Sequence, residues 1–164
     1  MSADARLREM FMQHYDFIWR SARRLGLLAD DADDAAQKTF VVAQRRLSEI
    51  DGGKERAFLF STLQRVVSDI RRSERRRRED PIAETMEDAQ PEPDEVVEQK
   101  RARERLDVLL DSLPEDLRTV FVLYELEQMT TPEIASLLDV PLGTAASRLR
   151  RAREAFMAKL EGQS

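Results

Sequence analysis

The chain has 164 residues, 36% of them charged, and a formal net charge of −5. That length allows one domain or two small ones, and 41% hydrophobic residues are enough for a core in each. The absence of cysteine excludes disulfides and thiolate metal sites and fits a reducing cytoplasm, while few glycines and prolines with helical charge periodicity and no long alternating run predict an all-α fold.

The N-terminus, MSADARLREM, lacks the apolar centre of a secretory signal, and the longest apolar runs, such as Val120 to Tyr124, are far too short to span a bilayer. A cytoplasmic protein without membrane insertion is expected. Phe11, Tyr15, Ile18, Ala22 and Leu25 recur at helical spacing and mark a first helix. A second begins near Asp31, with Ala36, Phe40, Ala43 and Leu47 on one side. Its opening, DDADDAAQKTF, sets Asp33, Asp34, Gln37 and Val41 on the other. Acids at a helix start are favoured by the macrodipole, which accounts for Asp31, Asp33 and Asp34 by themselves. The functional alternative is a docking stripe for a partner. A calcium loop lacks its glycine and terminal glutamate at the required spacing.

Phe58, Leu59, Thr62, Leu63, Val66, Val67 and Ile70 mark a third helix that runs into arginines. From Arg65 to Arg78 there are seven Arg against Asp69 and Glu74. Ser61, Arg65, Ser68 and Arg72 share a polar face, with Gln64, Arg71, Arg75 and Arg76 beside it and Phe60 at its border. Cations interleaved with an aromatic suit single-stranded nucleic acid, where guanidinium groups follow the backbone and rings stack on bases. Core packing is the commoner fate of Phe58 and Phe60. The arginine density itself calls for phosphate or acid, because like charges this close repel.

Nine acids and no Lys or Arg lie between Glu79 and Glu98, so this segment carries −9 and leaves +4 for the rest of the chain. With Pro81, Pro91 and Pro93 and few large apolar residues, it reads as a flexible acidic linker. The expected division is residues 1–78, a three- to four-helix domain; 79–98, linker; and 99–164, a four-helix domain. In the last, a helix near Val97 to Leu110 leads to Leu113 and Pro114, and another carries Leu117, Val120, Phe121 and Tyr124.

Thr130 to Arg153 then reads as a helix-turn-helix. Thr130 or Thr131 caps the first helix, with Pro132 at its start and Glu133 as capping-box partner. Asp139 to Gly143 turns the chain, Pro141 and Gly143 act as breakers, and Thr144 is the expected cap of the second helix. Ala145, Leu149, Ala152, Phe156 and Leu160 would face the core, leaving Ser147, Arg148, Arg150 and Arg151 outward or at the flanks. Small residues followed by arginines suit a helix entering the major groove, although a solvated basic face has the same pattern. No catalytic or cofactor constellation is evident: His14 is the only histidine, and no phosphate-binding glycine loop is present.

Three stretches in order resemble the extracytoplasmic-function sigma factors of bacterial RNA polymerase. DADDAAQKTF (Asp31 to Phe40) is similar to the core-binding segment DAEDLVQEVF. AFLFSTLQRVVSDIRR (Ala57 to Arg72) is similar to the promoter-melting helix AWLYRIARNLALDHLRR. Leu113 to Glu154 is similar to the domain that reads the minus-35 element, whose ending is usually close to GTVKSRLHRARE. The resemblance implies a non-enzymatic initiation factor that takes no cofactor and no metal. It implies core RNA polymerase as partner, at the clamp helices and the flap, bound through Asp33, Asp34, Gln37, Phe40 and Val41. It implies promoter DNA as the second partner, melted at the minus-10 element by Phe60, Ser61, Gln64, Arg65, Ser68, Arg71, Arg72, Arg75 and Arg76. Duplex minus-35 DNA would meet Thr144, Ala146, Ser147, Arg148, Arg150 and Arg151. The loop at about Ser48 to Arg56 would receive a flipped base, and related factors are often clamped by an anti-sigma protein. Phe58, Arg65, Lys38, Ala145, Ala146 and Arg150 depart from the usual Trp, Asn, acid, Val-Lys and His or aromatic, so promoter preference is not carried over. Two competitors stay open: a helix-turn-helix regulator that binds duplex DNA as a dimer, and a decoy that binds polymerase without reading promoters.

Overall fold

The computed structural model describes residues 1–79 and 94–163, and among them there is no strand. Helix α1 (Ala3–Arg24) starts where the Ser2 hydroxyl accepts the Ala5 N–H at 3.2 Å and Asp4 meets the positive helix end. Its buried residues are Met10, Phe17, Ile18, Ser21 and Ala22, whereas Phe11 is exposed and Tyr15 half-buried. The core face is thus turned slightly from the expected one. Helix α2 (Ala29–Arg45) begins two residues before Asp31, without a side-chain cap but with Asp30 and Asp31 in its first turn. Ala32, Ala35, Ala36 and Ala43 are fully buried, and such small side chains let neighbouring helices approach closely. A 3-10 turn (Leu47–Glu49) and Gly53, at φ 85°, lead into helix α3 (Glu55–Arg78), which buries Leu59, Phe60, Thr62, Leu63 and Val67. The three helices form an N-terminal bundle.

Helix α4 (Asp94–Asp111) starts inside the segment expected to be linker. The remainder of that expected linker, 80–93, lies outside the described residues. Helix α5 (Glu115–Phe121) continues into a π-helical turn (Val122–Leu126), followed by α6 (Thr131–Leu138) and α7 (Leu142–Gly162). Leu110, Leu113, Leu117, Phe121, Val122 and Ala152 make one apolar cluster, with Phe156 stacked on Phe121 at 4.5 Å between centroids. Leu160, expected in the core, is exposed.

A second cluster runs from α1–α3 into α5–α7, so the two halves pack on each other. Their joint is centred on a backbone atom. The carbonyl of Leu25, at the C-cap of α1, has no partner within its own helix. It accepts Arg71 of α3 at 3.0 Å and Arg118 of α5 at 2.9 Å. Asp111 lies 3.5 Å from the first guanidinium and 3.3 Å from the second. Arg118 is 5% exposed, and burying its charge is tolerable because of these partners. Gly26 is next in the chain at φ 109°, and a Cβ there would sit 2.8 Å from Arg71 Nη1 and 2.9 Å from Asp111 Oδ1. At another edge, Arg20 grips Glu127 through two contacts of 3.0 Å. No described helix is long and apolar enough to cross a membrane.

Candidate nucleic-acid interface

On α2, Asp33, Asp34, Gln37 and Val41 share the exposed face that the sequence spacing predicts. Asp34 pairs with Lys38 one turn on, at 3.3 Å, in water. Asp33 accepts the Trp19 indole N–H at 2.6 Å, which ties the stripe to α1. Phe40 does not belong to the surface. It is 7% exposed and packs against Phe11 and Tyr15, with ring centroids 5.1 and 6.1 Å away, because the alanine face of α2 carries it into the bundle. Phe11 is the aromatic left outside, and its position in α1 gave no such signal in the sequence.

On α3, Ser61, Arg65, Arg72, Arg75 and Arg76 are exposed, whereas Gln64, Ser68 and Arg71 are half-buried. Phe60 is not on that face either. At 1% exposure and 5.8 Å from the Phe17 ring it is core, so it has no face on which a base could stack. Phe58 is the accessible aromatic of this helix start, half-buried under the Arg46 guanidinium at 5.3 Å. The loop before α3 borders a cleft of about 610 Å³ lined by Glu49, Lys54, Arg56, Phe58 and Ser61 on one side and Met129, Glu133 and Leu137 of the other half on the opposite side. Glu55, the first residue of α3, is held below the usual carboxylate range by its own backbone N–H, with Arg6 adding to the effect.

The cap of α6 is as expected: Thr130 Oγ1 accepts the Glu133 N–H at 3.3 Å, and the Glu133 carboxylate accepts the Thr130 N–H at 2.8 Å. Asp139, at φ 54°, reverses the chain. Helix α7 then starts earlier than expected. Pro141 is its N-cap, since its extended backbone fits that position, so Gly143 is helical and Thr144 lies within the first turn rather than capping it. Ala146, Arg150 and Arg151 are exposed; Thr144, Ser147 and Arg148 are half-buried, and Arg148 lies 3.9 Å from Asp116. The earlier start leaves Leu142 exposed at the tip of the helix, a residue the sequence pattern did not single out. Arg153, over the Tyr124 ring and 2.7 Å from Glu125, braces α7 against the π-helical turn.

One electrostatic conflict lies where α3 meets α2. Burial first, and then a hydrogen bond and charge repulsion from Asp31, raise the pKa of Glu74. A raised carboxyl pKa means that the fold prefers the neutral form. The stability this group contributes is full below its unfolded pKa and is lost as pH rises through the folded one. Glu74→Gln is therefore expected to raise Tm by about 1–3 °C at neutral pH. In thermal melts that gain should shrink as pH falls below the ordinary glutamate range, and a gain that persists there would rule out the carboxyl conflict as its source.

Comparison with known proteins matches two family models to this chain. Residues 10–77, the three-helix bundle, match "Sigma-70 region 2", and residues 103–156, from α4 to α7, match "Sigma-70, region 4". ECF RNA polymerase sigma factor SigE of Mycolicibacterium smegmatis is 31% identical over 149 residues, covering 89% of this chain and 58% of the relative. ECF RNA polymerase sigma-E factor of Escherichia coli K12 is 39% identical over 69 residues, covering 42% of this chain and 36% of the relative. The chain thus spans little more than half the length of the first relative and about a third of the second. Among solved structures, CnrH in complex with the cytosolic domain of CnrY superposes with a TM-score of 0.71 at 25% identity, covering 96% of this chain and 89% of that one. The sigma factor RpoE of Bartonella quintana, in complex with the anti-sigma factor NepR, shares the fold with a TM-score of 0.68 at 20% identity, covering 94% and 96%.

Proposed function

The chain belongs to the extracytoplasmic-function group of the sigma-70 family, and from that membership we propose that it binds core RNA polymerase and directs initiation at specific promoters. The observation that carries the reading is the packing of α2 directly on α3. It puts an exposed acidic stripe and an exposed arginine face on one rigid bundle, so docking to polymerase and holding an opened strand are geometrically coupled.

In this reading residues 1–78 act at the minus-10 element and 99–164 at the minus-35 element, with the acidic stretch 79–98 between them. Asp33, Asp34, Gln37 and Val41 dock on the clamp helices, and Phe11 extends that surface. Flipping a base out of the duplex costs a few kcal/mol of stacking, roughly, and the cleft beside the loop before α3 is where compensation is available. Phe58 supplies a ring there, and Lys54 and Arg56 supply charge. Arg65, Arg72, Arg75 and Arg76 then follow the strand, their affinity coming from released counterions and falling with salt. At the other end α7 presents Ala146, Arg150 and Arg151 to the major groove, with Leu142 at its leading edge where an apolar side chain can meet a thymine methyl group. Bond-making belongs to the polymerase, and the protein acts in the cytoplasm, where that enzyme works.

The test is run-off transcription by purified core polymerase on a library of promoter fragments. Addition of this protein is expected to produce discrete start sites absent from core alone. If no fragment responds while the protein still shifts duplex DNA by itself, the dimeric regulator is the better reading. If it binds core and still directs nothing, it is a decoy.

A further inference from the structure

A cavity of about 370 Å³ lies where α3 faces α5 and the end of α4. Its charged lining is four guanidiniums, Arg71, Arg72, Arg75 and Arg118, against two carboxylates, Asp111 and Glu115, an excess of two positive charges. The carboxylates are poorly placed to offset them. Asp111 is shared between Arg71 and Arg118 at 3.5 and 3.3 Å, and Glu115 accepts the Ser68 hydroxyl at 3.1 Å. Arg75 has no ion pair among the described residues. Arg118 is 5% exposed, and its Nε–H has no hydrogen-bond partner among the described residues. Burial, and then repulsion from Arg71, lowers its pKa against the pull of Asp111 and Glu115. The lining thus holds more cation than it compensates, and a buried guanidinium with an unmet donor is stabilised by a further anion.

We propose that this cavity binds a small anion carrying a diphosphate group, with Arg71, Arg75 and Arg118 as its cations. Two phosphates in series match the excess charge and offer each guanidinium a pair of oxygens for its planar fork. Arg71 and Arg75 stand one helical turn apart on α3 and reach the cavity from the same side, while Arg118 comes from α5. Gln64 and Ser68 add an amide and a hydroxyl to the lining. The volume is at the lower end of the roughly 300–1,000 Å³ of small-molecule sites, and exposed Pro114 gives an apolar edge for whatever bears the diphosphate. Arg118 also selects against a polymer. Its depth admits a compact anion, whereas a continuous strand is held at the rim by its own bulk. The ligand therefore differs in kind from the melted strand, although Arg71 and Arg75 belong to both surfaces.

The test is isothermal titration of the full chain at low salt with inorganic diphosphate, adenosine diphosphate and inorganic phosphate. Both diphosphates are expected to bind at least about tenfold more tightly than phosphate. Arg75 is exposed, so Arg75→Ala spares the fold and should weaken both at least about tenfold. Asp111→Asn removes the competing carboxylate and should tighten both about fivefold. Arg77→Ala, on the same helix but outside the cavity, should leave affinity within about twofold. Circular dichroism checks that each variant keeps its helix content. Binding of inorganic diphosphate alone makes the free anion the ligand, binding of both makes the diphosphate group of a nucleotide sufficient, and either result supports the site. No preference over phosphate, an equal loss in Arg77→Ala, or affinities that move in neither Arg75→Ala nor Asp111→Asn overturns it. Binding of a single-stranded oligodeoxynucleotide without binding of either diphosphate would give the cavity to nucleic acid and overturns it too.

Discussion

Asp34→Lys is expected to weaken binding to core RNA polymerase at least about 30-fold, because reversing one charge of a docked polar surface costs roughly 2–5 kcal/mol. The folded chain itself has little to lose. Asp34 is 58% exposed in its side chain, and its ion pair to Lys38 is a solvent-screened pair one helical turn apart. Two ammonium groups would then stand side by side in water, which destabilises α2 only slightly. The helical circular dichroism spectrum and Tm should match the parent, while co-elution with core on a sizing column is lost. Co-elution at parental levels would remove the docking role of α2 outright. Asp33 is the poorer test residue: its hydrogen bond from Trp19 means that a substitution there also loosens α1 from α2.

Phe60→Ala is expected to cost about 3–5 kcal/mol of stability, the usual range for emptying a buried phenylalanine site. For a chain of this length that is a fall of about 10 °C in Tm. The cavity would open between α1 and α3, where Phe60 and Phe17 pack, and the closely set alanines of α2 leave few side chains that could collapse into it. Phe58→Ala makes the contrast. That ring is half-buried at the surface under Arg46, so its loss should leave Tm within about 2 °C. It should instead shorten open-complex lifetimes, since stacking on one base is worth about 1–3 kcal/mol. Thermal melts of the two variants decide the matter. A Phe60→Ala protein as stable as the parent would mean that Phe60 is not core.

The helices were legible because their faces obey one period, and the cap of α6 was legible because Thr130 and Glu133 stand three residues apart before an apolar run. The depth of Phe60 was not. It sits at the border between the polar and apolar faces of its helix, and a border residue goes in or out according to what the opposite helix offers; here α1 offers Phe17, whose ring lies 5.8 Å away. Phe40 was legible as core from its place beside Ala36 and Ala43, and its burial there conflicts with the docking role expected of it. The start of α7 lies earlier than the sequence pattern predicts because two local rules compete over four residues. Thr144 is a good cap, but Pro141 already has the backbone angles of one and cannot serve inside the helix. The proposed docking stripe was legible as exposed charge. Its restraint by Trp19 was not, since nothing local joins residues 19 and 33.

The joint between the halves was illegible for a different reason, one that bears on how such proteins change over time. Three of its members are side chains, Arg71, Arg118 and Asp111, yet what the two arginines are centred on is the peptide oxygen of residue 25. Every amino acid supplies that oxygen. Position 25 can therefore drift among apolar residues that fill its buried space while the link persists, and a mutational scan there would report only packing. Drift is constrained next door instead, at Gly26, where the first carbon of any side chain would press into Arg71 and Asp111. Among descendants of this chain, the record of the joint would be kept by a glycine and two distant arginines, with the acceptor itself leaving no trace.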